Sequence, residues 1–117
     1  FAEGPDGRFH QTPLSGVLRS DAPGSMRAVA DYCGADWSWR PWGKLLDTVR
    51  SGRTAFDEVF GEPVFDYLAK HPAESGVFNE GMTGFSMQES PAVADAYDFS
   101  PFDTIADVGG GHGHLLC

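Results

Sequence analysis

The sequence predicts a mostly helical chain with a small N-terminal β-hairpin, ending at the ligand-binding corner of a doubly wound α/β fold. Three observations carry this. Residues 1–12 place a turn-rich Gly4-Pro5-Asp6-Gly7 between two short extended runs. Several later segments repeat apolar residues at helical spacing. Near the end, the apolar run Thr104-Ile105-Ala106-Asp107-Val108 leads into Gly109-Gly110-Gly111-His112-Gly113, with four glycines in five positions.

The hairpin follows from turn chemistry. Phe1-Ala2-Glu3 and Arg8-Phe9-His10-Gln11 flank the turn; proline presets φ, Asp accepts local backbone bonds and Gly takes the left-handed position. Thr12-Pro13 then reads as an N-cap with proline at the first helical position, and Leu14, Val17 and Leu18 supply one face. A hairpin beside such a helix resembles the wing of a winged-helix domain. Its charges are Arg8 against Glu3 and Asp6, which does not suit a DNA-reading wing.

Further helices follow in order. With Ser25 as N-cap, Met26, Val29, Ala30 and Cys33 share a face and Gly34 stops the helix, which makes Cys33 a small core residue. Trp39, Trp42, Leu46 and Val49 follow helical spacing, with Pro41 tolerated in a first turn. Three tryptophans in six residues could line an aromatic site, but a packed face or subunit interface is the preferred reading. Thr54 caps a short helix with Phe56, Val59 and Phe60, closed by Gly61. Pro63 opens another with Phe65 and Leu68 inward, ending at a surface histidine, His71.

A longer helix starts at Pro72 and runs to about Ser90, with Ser90-Pro91 ending it and a short helix following to Tyr97. Phe78, Met82, Phe85 and Glu89 lie on one face. Gly76, Gly81 and Gly84 weaken this helix by up to ~1 kcal/mol each. Close packing against another helix or a ligand is the reason expected for them, and core and pocket readings of the Phe/Met stripe both stay open.

The final stretch reads as strand, glycine turn and helix start, with Leu115 and Leu116 as the first apolar helix positions. A dinucleotide fingerprint needs glycines at relative positions one, three and six, and the sixth position from Gly109 is His114, which disfavours a nicotinamide dehydrogenase. A phosphate loop lacks its Lys. Counting from the acid gives Asp107-x-Gly109-x-Gly111-x-Gly113, the pattern of S-adenosylmethionine-dependent methyltransferases. His112 and His114 could be a metal pair, but within a glycine turn they read as a loop residue and a first-turn helix residue.

Composition narrows the classes. The 117 residues carry 17 acids against 8 bases, a net charge of −9, which opposes nonspecific binding to nucleic acid or anionic membranes. No apolar run approaches the roughly 20 residues that span a bilayer. Cys33 and Cys117 form neither a disulfide framework nor a metal-spaced pair, so a reducing, cytoplasmic setting is expected. Phe1 is no initiator and Cys117 interrupts the expected helix, so the chain reads as an internal piece of a longer protein.

Taken together, the hairpin with Thr12-Pro13-Leu14, the Trp-containing helix, Ala55-Phe56-Asp57-Glu58-Val59-Phe60-Gly61, Val77-Phe78-Asn79-Glu80-Gly81-Met82, Tyr97-Asp98-Phe99-Ser100 and Asp107-Val108-Gly109-Gly110-Gly111 resemble a known family. It is that of the small-molecule O-methyltransferases, typified by plant caffeate and animal acetylserotonin enzymes, and especially their bacterial secondary-metabolism relatives. The resemblance implies three parts. Residues 1–34 would end a winged-helix-like dimerisation domain, 35–98 form a helical linker and pocket wall, and 99–117 begin a Rossmann-like methyltransferase domain.

It also implies roles. Asp107, Gly109, Gly110 and Gly111 would lie against the methionine end of S-adenosylmethionine, and Ser86 would face the same cofactor. Phe78 and Met82 would wall the pocket of a small hydroxylated, aromatic or polyketide-like acceptor, with Phe65 and Phe56 as further candidates. Trp39 and Trp42 would sit near a homodimer seam. The general-base His and the ribose-binding acid would lie beyond Cys117, so no residue here is assigned as catalytic. A winged-helix regulator, or a binding protein that keeps the pocket without the chemistry, is the alternative.

Overall fold

The computed structural model describes residues 1–116. The hairpin pairs β1 (Ala2–Glu3) antiparallel with β2 (Phe9–His10), in the register Ala2 to His10 and Glu3 to Phe9. Its turn is closed by Gly7 N–H donating to Gly4 O at 3.0 Å, with Gly7 at φ +73°. The helices are α1 (Pro13–Gly16), α2 (Arg27–Gly34), α3 (Asp36–Trp42), α4 (Leu45–Ser51), α5 (Ala55–Phe60), α6 (Val64–Lys70) and α7 (Pro72–Ala96).

The cap expected at Thr12 is present and reciprocal. Ser15 N–H donates to Thr12 Oγ1 at 3.2 Å, and Thr12 N–H donates to Ser15 Oγ at 2.8 Å. Such a box satisfies two of the orphan donors at a helix start. The helix itself is one turn long. It therefore buries Ser15 and leaves Leu14 82% exposed, instead of presenting the expected Leu14, Val17 and Leu18 face inward.

The architecture rests on α2 lying along α7. Val29 and Tyr32, three residues apart on α2, meet the glycines of α7: a Cβ built on Gly81 would stand 2.7 Å from Tyr32 Cβ, and one on Gly84 would stand 2.9 Å from Val29 Cγ2. Two backbones approach this closely only where a side chain is missing. Gly81 is buried as a result. Around Tyr32 an aromatic cluster forms, with ring centroids 5.7 Å from Trp37, 6.0 Å from Phe78 and 6.4 Å from Phe85 in edge-on geometry. Edge-to-face pairs at these separations add to simple area burial. Among the described residues the buried apolar side chains are Val29, Trp37 and Leu68.

Several sequence expectations are corrected. Met26, not Ser25, occupies the N-cap position of α2; Ser25 Oγ accepts from Arg27 N–H at 3.2 Å. Of the expected face Val29 is buried, but Cys33 is exposed: the contacts with α7 run from Val29 toward Tyr32, on the far side of Val29 from Cys33. The tryptophan segment is two helices, broken at Gly43-Lys44. Pro41 lies in the last turn of α3, and Trp37 is the tryptophan packed inside; Trp39, Trp42, Leu46 and Val49 are all more than half exposed. On α6 Leu68 is inward as expected, whereas Phe65 is 69% exposed. Helix α7 continues through Pro91 to Ala96 rather than ending at Ser90. The carbonyl that Pro91 leaves without a donor is that of Met87, on an exposed stretch where water can reach it.

The expected strand over 104–108 pairs with nothing; the sheet of the described residues holds β1 and β2 alone. A strand needs neighbours for its ladder, and Val108 is 96% exposed. Beyond it, Gly109, Gly111 and Gly113 adopt φ of +78°, +56° and +74°. These alternating left-handed residues replace the expected helix start at Leu115 and Leu116 with successive turns, held by Gly113 N–H to Gly110 O at 2.8 Å and Leu116 N–H to Gly113 O at 3.0 Å. Cys117 lies outside the described residues. No described helix is long and apolar enough to cross a membrane.

Candidate cofactor and acceptor cleft

The glycine turn folds back against α7 and the two enclose a cleft of about 620 Å³. That volume suits a small-molecule ligand. From α7 come Phe78, Met82, Phe85 and Ser86; from α6 comes Phe65; from the turn come Asp107, Gly109, Gly110 and Gly111. Eight of the nine side chains or backbone positions expected at the site thus line one space. The ninth, Phe56, lies elsewhere: its ring stacks on Phe60 at 4.7 Å and meets Tyr67 edge-on at 5.5 Å, in a cluster between α5 and α6.

Helix geometry explains why α7 can wall a ligand site and pack on α2 at once. Residues i, i+4, i+7 and i+11 share a helical stripe. Gly81, Gly84 and Gln88 form the stripe toward α2, where Gln88 Nε2 donates to Met26 Sδ. One residue on, Phe78, Met82, Phe85 and Glu89 form a stripe that is apolar apart from its last member. One further, Asn79, Thr83, Ser86 and Ser90 form a polar stripe. The second and third stripes both face the cleft.

The apolar side is stiffened by aromatic contacts. Phe65 and Phe78 meet at 6.0 Å with planes 88° apart, and Phe78 in turn leans on Trp37 at 6.3 Å. Exposed Phe65 is therefore a wall of the cleft rather than a stray surface residue. The polar side carries Ser86 and, across from it, the Asp107 carboxylate. Asp107 also explains Gly110: a Cβ built there would overlap the carboxylate oxygens. Gly110 does not have a positive φ, so its need for glycine is one of space, whereas Gly109 and Gly111 need it for their backbone angles.

Sequence reasoning missed Asn79, Thr83, Ser90 and Val93 as lining residues. The signal was available for three of them, since Asn79, Thr83 and Ser90 repeat the spacing of the Phe/Met stripe one position on. His112 and His114 also line the cleft, their rings 6.2 Å apart, and His112 Nδ1 is 3.2 Å from Thr83 Oγ1. Among the described residues no group of three or more His, Cys, Asp or Glu side chains is placed to hold a metal ion.

The fit to S-adenosylmethionine rests on these features. A bare backbone turn with three left-handed glycines allows close approach of a ligand. The Asp107 carboxylate and the Ser86 hydroxyl, among the cleft's polar groups, offer partners for an ammonium or ribose group, and an aromatic wall suits an apolar acceptor beside it. The residues present fit that group.

Residues 42–117 match the family model described as an O-methyltransferase domain. The chain is 48% identical to the phenazine O-methyltransferase PhzM of Lysobacter antibioticus, over 99% of this chain and 34% of that protein. It is 37% identical to a mitomycin biosynthesis 6-O-methyltransferase of Streptomyces lavendulae, over 97% of this chain and 32% of that protein. Against the crystal structure of LaPhzM the TM-score is 0.87 at 48% identity, covering 99% of this chain and 35% of that one. The chain spans about a third of the length of the relatives it matches.

Proposed function

Because the chain belongs to the O-methyltransferase domain family, we propose that the protein containing it transfers a methyl group from S-adenosylmethionine to a hydroxyl of a small aromatic or secondary-metabolite acceptor. The observation that carries this is the shared cleft formed where the Asp107–Gly111 turn faces the Phe78–Ser86 wall of α7. Similarity to enzymes named for phenazine and mitomycin substrates supports a flat, ring-containing acceptor.

In this reading Asp107, Gly109, Gly110, Gly111 and Ser86 hold the cofactor. When bound, it supplies an electrophilic methyl group on a sulfonium centre. Phe78, Met82 and Phe65 orient the acceptor ring and keep water from its hydroxyl, so that the oxygen meets the methyl carbon in line. Phe56 contributes through the neighbouring α5–α6 cluster rather than by lining the cleft. The base that takes the hydroxyl proton is assigned to sequence beyond this chain, as the resemblance implies.

The same reading divides the chain into the end of a winged-helix-like dimerisation domain (1–34), a helical linker and pocket wall (35–98), and the start of the Rossmann-like domain (99–117). A cytoplasmic homodimer fits the exposed Trp39, Trp42, Leu46 and Val49, an apolar set that needs a cover. The direct test gives the full-length protein methyl-labelled S-adenosylmethionine and a panel of hydroxylated fused-ring aromatics. Label on an acceptor oxygen is expected. Retained binding of S-adenosylhomocysteine with no transfer across the panel would favour a binding protein without the chemistry.

A further inference from the structure

The glycine turn that would hold the cofactor is built of the least constrained backbone available. Between 109 and 113 four residues are glycine and three of them sit at positive φ. Such a segment has many conformations to lose when a ligand orders it. His112 carries the one side chain in those five positions. That side chain reaches across to α7, where Nδ1 lies 3.2 Å from Thr83 Oγ1, twenty-nine residues away in sequence. The other side-chain hydrogen bond of comparable span among the described residues, Gln88 to Met26, fixes α7 to α2 and not to the turn.

Thr83 is equally well placed at its own end. It follows Met82, precedes Ser86 by three positions, and stands on the polar stripe of α7 that faces the cleft. The bond therefore joins the two walls that must converge on one ligand: the turn that presents Asp107 and Gly109–Gly111, and the helix that presents Ser86. Either tautomer of His112 makes it, since the Thr hydroxyl can donate to a bare Nδ1 or accept from a protonated one.

We propose that Thr83 and His112 form a latch that pre-organises the glycine turn for S-adenosylmethionine, making them positioning residues for the cofactor rather than contacts to the reacting atoms. This rests on the proposed cofactor reading of the cleft. A pre-ordered loop loses less freedom on binding, so the latch acts on cofactor affinity. Its effect falls first on the cofactor, because the Phe65–Phe78 wall is held independently by its own aromatic contacts.

The test uses the full-length protein with S-adenosylhomocysteine calorimetry and steady-state kinetics. T83V and H112A are each expected to weaken S-adenosylhomocysteine binding and raise the KM for S-adenosylmethionine by roughly fivefold, the worth of one hydrogen bond. The rise in the KM for S-adenosylmethionine is expected to exceed any change in acceptor KM or kcat. T83S, which keeps the hydroxyl, and H112N, whose amide can stand in for Nδ1, restore affinity. The double variant is no weaker than either single one, as for two ends of one interaction. Wild-type binding with both T83V and H112A within twofold of it, or with additive losses, overturns the latch. Failure of the wild-type protein to bind at all overturns the cofactor reading and the latch together. His112 is exposed in a turn, so the H112A and H112N pair decides the matter if T83V does not fold.

Discussion

Gly81 of α7 packs directly on Tyr32 of α2, so closely that a Cβ at Gly81 would stand 2.7 Å from Tyr32 Cβ and 3.0 Å from Tyr32 Cγ. That one missing side chain lets α7 press its next two stripes against the cleft. Gly76, on the same helix, has open space around its would-be Cβ. The two positions should respond oppositely to alanine. Gly81→Ala is expected to destabilise by about 1–3 kcal/mol through overpacking, and Gly76→Ala to stabilise by up to ~1 kcal/mol through helix propensity. Urea denaturation of the full-length variants checks both signs.

Gly110→Ala separates space from backbone strain in the glycine turn. Its backbone tolerates a side chain, but the methyl group meets the Asp107 carboxylate. Asp107 must move, and S-adenosylhomocysteine affinity is expected to fall by at least about tenfold, or ~1.4 kcal/mol. Stability should change little, because the turn is exposed. Isothermal titration alongside thermal melting reads the two effects separately.

Phe65→Ala should alter catalysis without unfolding the protein. Phe65 is 69% exposed and lines the cleft beside Phe78. Its loss is expected to raise the acceptor KM several-fold while stability stays within about 0.5 kcal/mol. Phe78→Ala, which removes contacts to Tyr32, Trp37 and Phe65 together, should cost about 2–4 kcal/mol of stability besides. A denaturation midpoint and a Michaelis curve for each variant distinguish them.

The loop joining α7 to the glycine turn carries a pH-sensitive tie. The Ser100 hydrogen bonds, first from its side chain and then from its backbone N–H at 3.0 Å, hold the Asp98 carboxyl below the ordinary carboxylate range. A carboxyl whose folded value is depressed stabilises the fold fully above its unfolded value, and that contribution fades as pH falls through the folded value. An NMR titration should find Asp98 ionising at lower pH than an unperturbed Asp. Ser100→Gly, which removes the hydroxyl, should raise it.

Much of the site was legible because stripes and turns are local. The spacing of Phe78, Met82 and Phe85 is a property of one helix, and Asp107 with its glycines is a property of one turn. The N-cap at Thr12 was legible for the same reason, though not its reciprocal bond with Ser15. What escaped depended on partners distant in sequence. Val29 is inward as the stripe Met26, Val29, Ala30 and Cys33 suggests, but Tyr32, the centre of the aromatic cluster, lies off that stripe, and its contact with Gly81, distant in sequence, turns its side of α2 inward. The Thr83–His112 pair joins residues whose separate patterns say nothing of each other. Conversely, the apolar run at 104–108 reads as a strand, yet a strand exists only with a neighbour to pair with, and its local sequence could not supply one. Pro91 misled in the same way: the local rule ends a helix there, while α7 continues through it on a stretch where Met87 is 60% exposed.

The central claim is that the turn from Asp107 to Gly111 and the helix face from Phe78 to Ser86 together hold S-adenosylmethionine. Calorimetric titration of S-adenosylhomocysteine into the full-length protein tests it most directly. One site per chain is expected, with a Kd on the order of micromolar, weakened by both Gly110→Ala and Ser86→Ala. The absence of binding, or binding that neither substitution affects, would contradict it.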